Sequence, residues 1–276
     1  MKHRDVRGKK IIDSQNRFYT FVMPKRSNAN CWTKLSIKAE NMLSFINEKK
    51  ELGEIYTVFQ TVVAALIRTG SQFPQLNRYI YAHRLHTRND FTISFAVSLG
   101  EEVALKKVHF APDMTISQIH ALIEDAVTSA RTNPHDSLDS SMDFMMKLPD
   151  FLAAFIFVMY PKLVNIGLFP KKFPDEDPLY ASAMVSNLGT FGLDAPYHHL
   201  YDWGNISVFI TIGIIEKVPM VMPDDSVKAV PAISIGFNVD ERIASGKVIS
   251  DALTYFKNMI ENPRLLELPP DKVKSE

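Results

Sequence analysis

Between Glu54 and Gly70 apolar residues recur at Ile55, Val58, Phe59, Val62, Val63, Leu66 and Ile67, a spacing that gathers them on one broad helical face. Gly70 supplies a C-terminal stop. A second helix is expected from Thr115 to about Arg131, opened by a Thr115-x-x-Gln118 capping box and turning Ile116, Ile119, Ile123 and Val127 inward. A third runs from about Lys247 to Asn262 on the stripe Val248, Ile249, Ala252, Leu253, Phe256, Met259 and Ile260, and Pro263 ends it. Elsewhere the period is two. FTISFAVSL (91–99) alternates between β-formers and small polar residues, and ASAMVSN (181–187), NISVFITIGII (205–215) and PAISIGFNV (231–239) are further strands, two of them long enough to be central.

Three stretches fit neither period cleanly. The apolar run FLAAFIFVMY (151–160) stops at Pro161-Lys162, well short of the roughly 20 residues that span a bilayer, and reads as a buried or partner-covered helix. Residues 131–150 mix turn signals with a Met-Phe-Met cluster. PKKFPDEDP (170–178) reads as an exposed connection. With no repeat, linker or composition break, strands and helices together predict one α/β domain over residues 1–276.

Composition narrows the function. A 276-residue chain that is 46% hydrophobic supports a sizeable core. Its 31 basic and 31 acidic side chains cancel, which argues against nucleic acid or a membrane surface as partner. Cys31 is the sole cysteine, so no internal disulfide or multi-cysteine metal site is expected, and a reducing cytoplasm fits. The basic N-terminus lacks the apolar core of a signal peptide. No metal is expected at the adjacent pair His198-His199, because neighbours rarely share one ion and no third ligand is suitably spaced. His120 reads as a surface or core-edge side chain, and the sequon Asn205-Ile-Ser207 as a chance match.

Two segments carry a resemblance: MVSNLGTFGLDAPYHHLYDWGNISVFITIGIIEKVPMV and PAISIGFNVDERIASGKVISDALTYFKNMIENPRLLE. With Ser186-Asn187-Leu188-Gly189, Ile212-Gly213, the loop Asp240 to Gly246 and Asn262-Pro263 in order, the chain resembles the catalytic domain of 2-oxo acid dehydrogenase E2 components, the superfamily of chloramphenicol acetyltransferase. YTFVMPKRSNANCWTKLSIKAENMLSFINEKK resembles that family's opening strand and first helix, and FPQLNRY its Pro-x-Leu-Asn segment. The resemblance implies a two-layer α/β sandwich with a mixed sheet, assembled as a trimer or multiple of trimers without lipoyl or subunit-binding domains. It also implies coenzyme A as the acyl carrier, with small-molecule acyl donor and acceptor.

In that family a loop histidine deprotonates the acceptor thiol, and the Ser-Asn-Leu-Gly serine of a neighbouring subunit hydrogen-bonds the tetrahedral oxyanion. This chain keeps the serine as Ser186, but Glu241 stands at the histidine position and Ser245 at the aspartate position, while Arg242 and Gly246 remain. Three readings stay open. Glu241 is the base if burial raises its pKa, although a meeting with Arg242 would lower it. The base has moved to His198 or His199, with Asp202 or Tyr201 orienting the imidazole and at most one of the pair facing a given cleft. Or the chain is a catalytically silent binding or scaffold module. Ser27, Asn28, Asn77 and Arg78 are placed near subunit contacts by the same resemblance, and Arg78 is suited to a carboxylate or an acyl-group phosphate, or else to an ordinary surface position.

Overall fold

The structure, a computed structural model, describes residues 7–100, 102–132, 147–165, 168 and 175–276. Its main sheet is built from β2 (Asn30–Lys38), β5 (Phe91–Leu99), β6 (Glu102–Phe110), β7 (Ala183–Asn187), β8 (Val208–Val221) and β9 (Val227–Asp240), in the order β2-β9-β8-β7-β5-β6. β7 lies parallel to both its neighbours, and the remaining pairs are antiparallel. A smaller antiparallel sheet joins β1 (Arg7–Ile11), β4 (Arg84–Arg88) and β3 (Arg78–Tyr81).

Alternation along the central strands divides the molecule into two unequal layers. Ala183 and Val185, Val208, Ile210 and Ile212, and Ile233, Ile235, Phe237 and Val239 all enter one continuous core. That core is closed by α2 (Glu40–Glu51), α3 (Val58–Gln72), α4 (Ile116–Thr132) and α6 (Gly246–Glu261). The opposite face is not covered by these helices. Met184 and Phe209 there join a small cluster with Ala181, Leu200 and Ile206, supplied by the long loop between β7 and β8.

Helix α3 is the central helix, with every residue from Gln60 to Ser71 buried. It begins later than the apolar periodicity suggests. Thr57 Oγ1 accepts from the Gln60 amide (3.2 Å) while Gln60 Oε1 accepts from the Thr57 amide (2.9 Å), and this reciprocal cap fixes the start after Ile55, which is left exposed. Gly70 does not stop α3. It sits inside the helix because a Cβ there would come within 2.5 Å of the Phe91 ring. The Thr115–Gln118 cap of α4 forms as the sequence indicates, with Thr115 N donating to Gln118 Oε1 at 3.0 Å. His120 lies half-buried at the core edge, edge-on to Tyr56.

Of the irregular stretches, residues 133–146 and 169–174 lie outside the described residues. FLAAFIFVMY forms α5 (Asp150–Asn165), which continues through Pro161. Its inward side seats Tyr160 flat on Trp203 (4.9 Å, 11°) and Phe157 edge-on to the same indole, whereas Phe151, Phe155 and Val158 face outward uncovered by their own chain. The connection before β7 is not wholly exposed. Asp177 is buried, accepting from Trp203 Nε1 (2.8 Å) and the Leu179 amide (2.8 Å), because a carboxylate removed from water needs such donors. Among the described residues no helix is long and apolar enough to cross a membrane.

Candidate active site

Ser186 lies near the C-terminal end of β7, half-buried. Since Ala183 and Val185 enter the helical core, alternation sends Ser186 to the loop-covered face beside Met184. Strand register places Thr211 of β8 opposite Ser186, Gly236 of β9 opposite Thr211, and Lys34 of β2 opposite Gly236. One step down, Met184, Phe209, Asn238 and Trp32 form a parallel row on the same face. Among the described residues the Ser186 hydroxyl has no intramolecular hydrogen-bond partner, so it is free to donate to a ligand.

The loop from Leu193 to Asn205 runs down this face on a series of close contacts. The Pro196 carbonyl accepts from Thr211 Oγ1 at 2.8 Å, and a Cβ on Gly236 would meet that oxygen at 3.0 Å and the Thr211 hydroxyl at 2.4 Å. Gly213 is equally pressed, with its missing Cβ position 2.3 Å from the Ala195 amide. Further on, the His198 carbonyl accepts from Asn238 Nδ2 (2.7 Å) and Trp32 Nε1 (3.1 Å), while the Leu200 amide donates to Asn30 Oδ1 (3.1 Å). The half-buried Arg26 guanidinium then gathers three carbonyls, those of Tyr201 (2.6 Å), Trp203 (3.4 Å) and Gly204 (2.8 Å). A loop this firmly held can present side chains in fixed positions.

His198 is the side chain it holds best. Its ring stacks on Phe209 at 4.0 Å and 9° on one side, and on His199 at 4.8 Å and 17°. Its Nδ1 lies 2.8 Å from the His199 carbonyl, which can only accept, so the proton is on Nδ1 and Nε2 carries the lone pair. Burial pushes the imidazole pKa below its ordinary value, with the proximity of His199 adding to the fall, against the smaller upward pull of the carbonyl bond. The two imidazoles stack on one another rather than pointing to opposite sides, because this stretch is irregular loop and not a strand. His199 is the more exposed of the two. Tyr201 packs edge-on to both rings, but Asp202 orients neither: its carboxylate accepts from the Ser27 amide and hydroxyl, both at 2.9 Å.

The altered loop has become structural. Arg242 turns away from Glu241 and makes a buried two-pronged ion pair with Asp240, Nε to Oδ1 at 2.8 Å and Nη2 to Oδ2 at 2.6 Å, with Nη1 on the Met23 carbonyl. Ser245 caps α6 by accepting from the Val248 amide. Glu241 is exposed; burial raises the pKa of the nearby Cys31 thiol, and the charge of Glu241 adds to the rise. Within one chain Glu241 and Ser186 are not brought together. Glu241 follows Asp240, while Ser186 is in register with Thr211 and Gly236, two strands away and several residues along, about 19 Å by sheet dimensions. Phe209, which carries His198, is one strand and two residues from Ser186, about 8 Å by the same measure.

Several supporting residues carry no motif. Asn30, Trp32, Asn238 and Phe209 were hidden in stretches that read as strand, and the signal was a polar or aromatic residue at alternate positions of β2, β8 and β9. Arg78 is half-buried and contacts the altered loop, donating from Nη1 to the Ile243 carbonyl (2.9 Å) and from Nε to the Glu276 carboxylate. Asn77 Nδ2 donates to the Asp90 carbonyl at 2.8 Å. Asn205 is buried and accepts from Arg88, which agrees with a sequon present by chance. Among the described residues no cluster of three or more His, Cys, Asp or Glu side chains is suited to a metal ion.

The family model described as 2-oxoacid dehydrogenases acyltransferase (catalytic domain) matches residues 15–141 and 171–268, so that α5 falls in the unmatched interval. No curated protein matches the chain. Among solved structures it is similar to a probable dihydrolipoamide acetyltransferase from Listeria monocytogenes, at 17% identity over 92% of this chain and 94% of that one, with a TM-score of 0.62. It is also similar to the cubic core of a pyruvate dehydrogenase multienzyme complex, at 12% identity over 92% and 89%, TM-score 0.63. A truncated catalytic core of the 2-oxoacid dehydrogenase multienzyme complex from Thermoplasma acidophilum aligns at 16% identity over 93% and 99%, TM-score 0.59. These likenesses show the mixed-sheet α/β fold, and with a family model spanning most of its length the chain belongs to the 2-oxoacid dehydrogenase acyltransferase catalytic-domain family.

Proposed function

We propose that the chain is a coenzyme A-dependent acyltransferase in which the proton-accepting role has moved from the loop position of Glu241 to His198, with Ser186 as the oxyanion donor. The observation that carries this reading is the orientation of His198: Nδ1–H is committed to the His199 carbonyl, leaving Nε2 as a basic nitrogen on the same sheet face as Ser186. His199 contributes its carbonyl and its stacked ring. Glu241 is exposed and, within its own chain, remote from Ser186; in this reading it retains no part in proton transfer.

The chemistry follows from those positions. Nε2 takes the proton of the acceptor thiol, and the thiolate attacks the carbonyl carbon of the acyl thioester. The tetrahedral oxyanion receives the Ser186 hydroxyl hydrogen bond. Collapse breaks the original carbon–sulfur bond, and the departing thiolate takes the proton back from the imidazolium. A positioned base of this kind contributes about 10²- to 10⁴-fold and one oxyanion donor about 10²- to 10³-fold. The molecule assembles as a trimer or a multiple of trimers, so its sedimentation mass is at least three times the 31.3 kDa chain mass.

Thiol release from acetyl-CoA with dihydrolipoyl, hydroxyl and amine acceptors tests the assignment. Turnover lost in His198→Ala and reduced in Ser186→Ala, but kept in Glu241→Gln, supports it. Loss in Glu241→Gln with retention in His198→Ala overturns it. The exposure of Glu241 and the capping role of Ser245 favour a second reading, a coenzyme A-binding module without turnover; calorimetric binding of coenzyme A with no thiol release would establish that instead.

A further inference from the structure

We infer that Asn238 is a positioning residue that sets the tautomer of His198, through a pair of crossed asparagines on adjacent strands; the inference rests on the reading of His198 as proton acceptor. Asn238 on β9 and Asn30 on β2 face the loop from below. The Asn238 amide nitrogen donates to two oxygens at once, Asn30 Oδ1 and the His198 carbonyl, each at 2.7 Å. Asn30 Oδ1 accepts in addition from the Leu200 amide at 3.1 Å, and its own Nδ2 donates to the Ser27 carbonyl at 2.7 Å. Both neighbours of the Asn238 nitrogen are acceptors, so the amide has one orientation and no productive flip.

The backbone is thereby fixed on both sides of His199: the carbonyl before it to Asn238 and Trp32, and the amide after it to Asn30. The His199 carbonyl shares a planar trans peptide group with the Leu200 amide, so fixing that amide on Asn30 aims the carbonyl the opposite way, toward Nδ1 of His198. Asn238 is 1% exposed, and its Oδ1 is buried without a partner. Burying an unpaired carbonyl oxygen disfavours the folded state, so a well-packed apolar residue would serve the sheet better. The residue is explained by what its nitrogen holds in place. Among the described residues the titratable groups packed on His198 are His199 and Tyr201; Phe209, Trp32 and Asn238, from three strands, bring none.

The test is Asn238→Ala in the full chain, read by long-range proton–nitrogen correlation of the histidine rings and by the acyl-transfer pH profile. The wild type shows His198 protonated at Nδ1 and bare at Nε2. In Asn238→Ala the ring becomes a mixture of tautomers, kcat falls about 10- to 100-fold with KM little changed, and the acid limb moves further down because the upward pull of the carbonyl bond is lost. If the variant does not fold, Trp32→Phe removes the second donor to the same carbonyl at a half-exposed site and shifts the same signals in the same direction. An unchanged tautomer with unchanged kcat overturns the positioning role. A tautomer change in a protein that never turns over leaves that role standing and removes the reading of His198 as base.

Discussion

Arg242 is 2% exposed, and its guanidinium is balanced by a carboxylate that is equally buried. Removing one member of such a pair strands the other charge, so Arg242→Met should lower the unfolding free energy by about 3–5 kcal/mol in urea titrations. A loss below about 1 kcal/mol would mean the pair is solvated. The neighbouring Ser245 gives a gentler case. Ser245→Ala should cost about 1 kcal/mol through the lost cap of α6, and Ser245→Asp should cost almost nothing, with neither changing turnover. For His198, burial keeps the neutral form populated below the ordinary histidine pKa. In the proposed reaction neutral imidazole is the base, so the plateau of kcat/KM should extend to more acid pH than an unperturbed histidine allows, and a limb at or above the ordinary value would contradict the burial. These residues show what the sequence could and could not convey. Glu241 and Ser245 are legible as substitutions in a familiar loop. The partner of Arg242 was not legible: the sequence set it beside Glu241, whereas the guanidinium folds back across the turn onto Asp240. Nor was the anchoring of His198, since it depends on side chains some 40 and 170 positions away.

Elements were read well where one period ran uninterrupted and poorly where a local cap competed with it. Strand β5 and helices α4 and α6 stand within a residue or so of their expected bounds, whereas α3 starts late because Thr57 captures the first turn. Phe256 of α6 lies fully buried and edge-on to Phe237 of β9, so Phe256→Ala should destabilise by about 3–5 kcal/mol without altering the loop-covered face. The loop itself depends on Gly204, whose φ of +79° and contact with the Leu179 carbonyl, 2.0 Å from where a Cβ would be, leave no space for a side chain. Gly204→Ala should cost at least about 1–3 kcal/mol and loosen Trp203, measured as a red shift of its fluorescence. Helix α5 is the element the sequence described least. Its apolar character was plain, but only the coordinates show that one side is spent on Trp203 and the other left open.

At the scale of the molecule the two faces of the sheet divide the labour. One is filled with helices and carries the stability. The other is crossed by a single well-fastened loop and carries the candidate chemistry. The family domain is matched on both sides of residues 142–170, so α5 lies outside the matched residues, seated on Trp203 of the loop that carries His198, with Phe151 and Phe155 exposed. Cys31 adds a practical consequence. Every protomer carries a single sulfhydryl, partly covered and held in its protonated form by burial and by the carboxylate of Glu241. Such a group reacts sluggishly with chromogenic disulfides, because only the thiolate attacks them. Coenzyme A liberated in the proposed reaction would therefore colour the reagent well ahead of the protein's own sulfur, whose slow signal counts the chains in the cuvette.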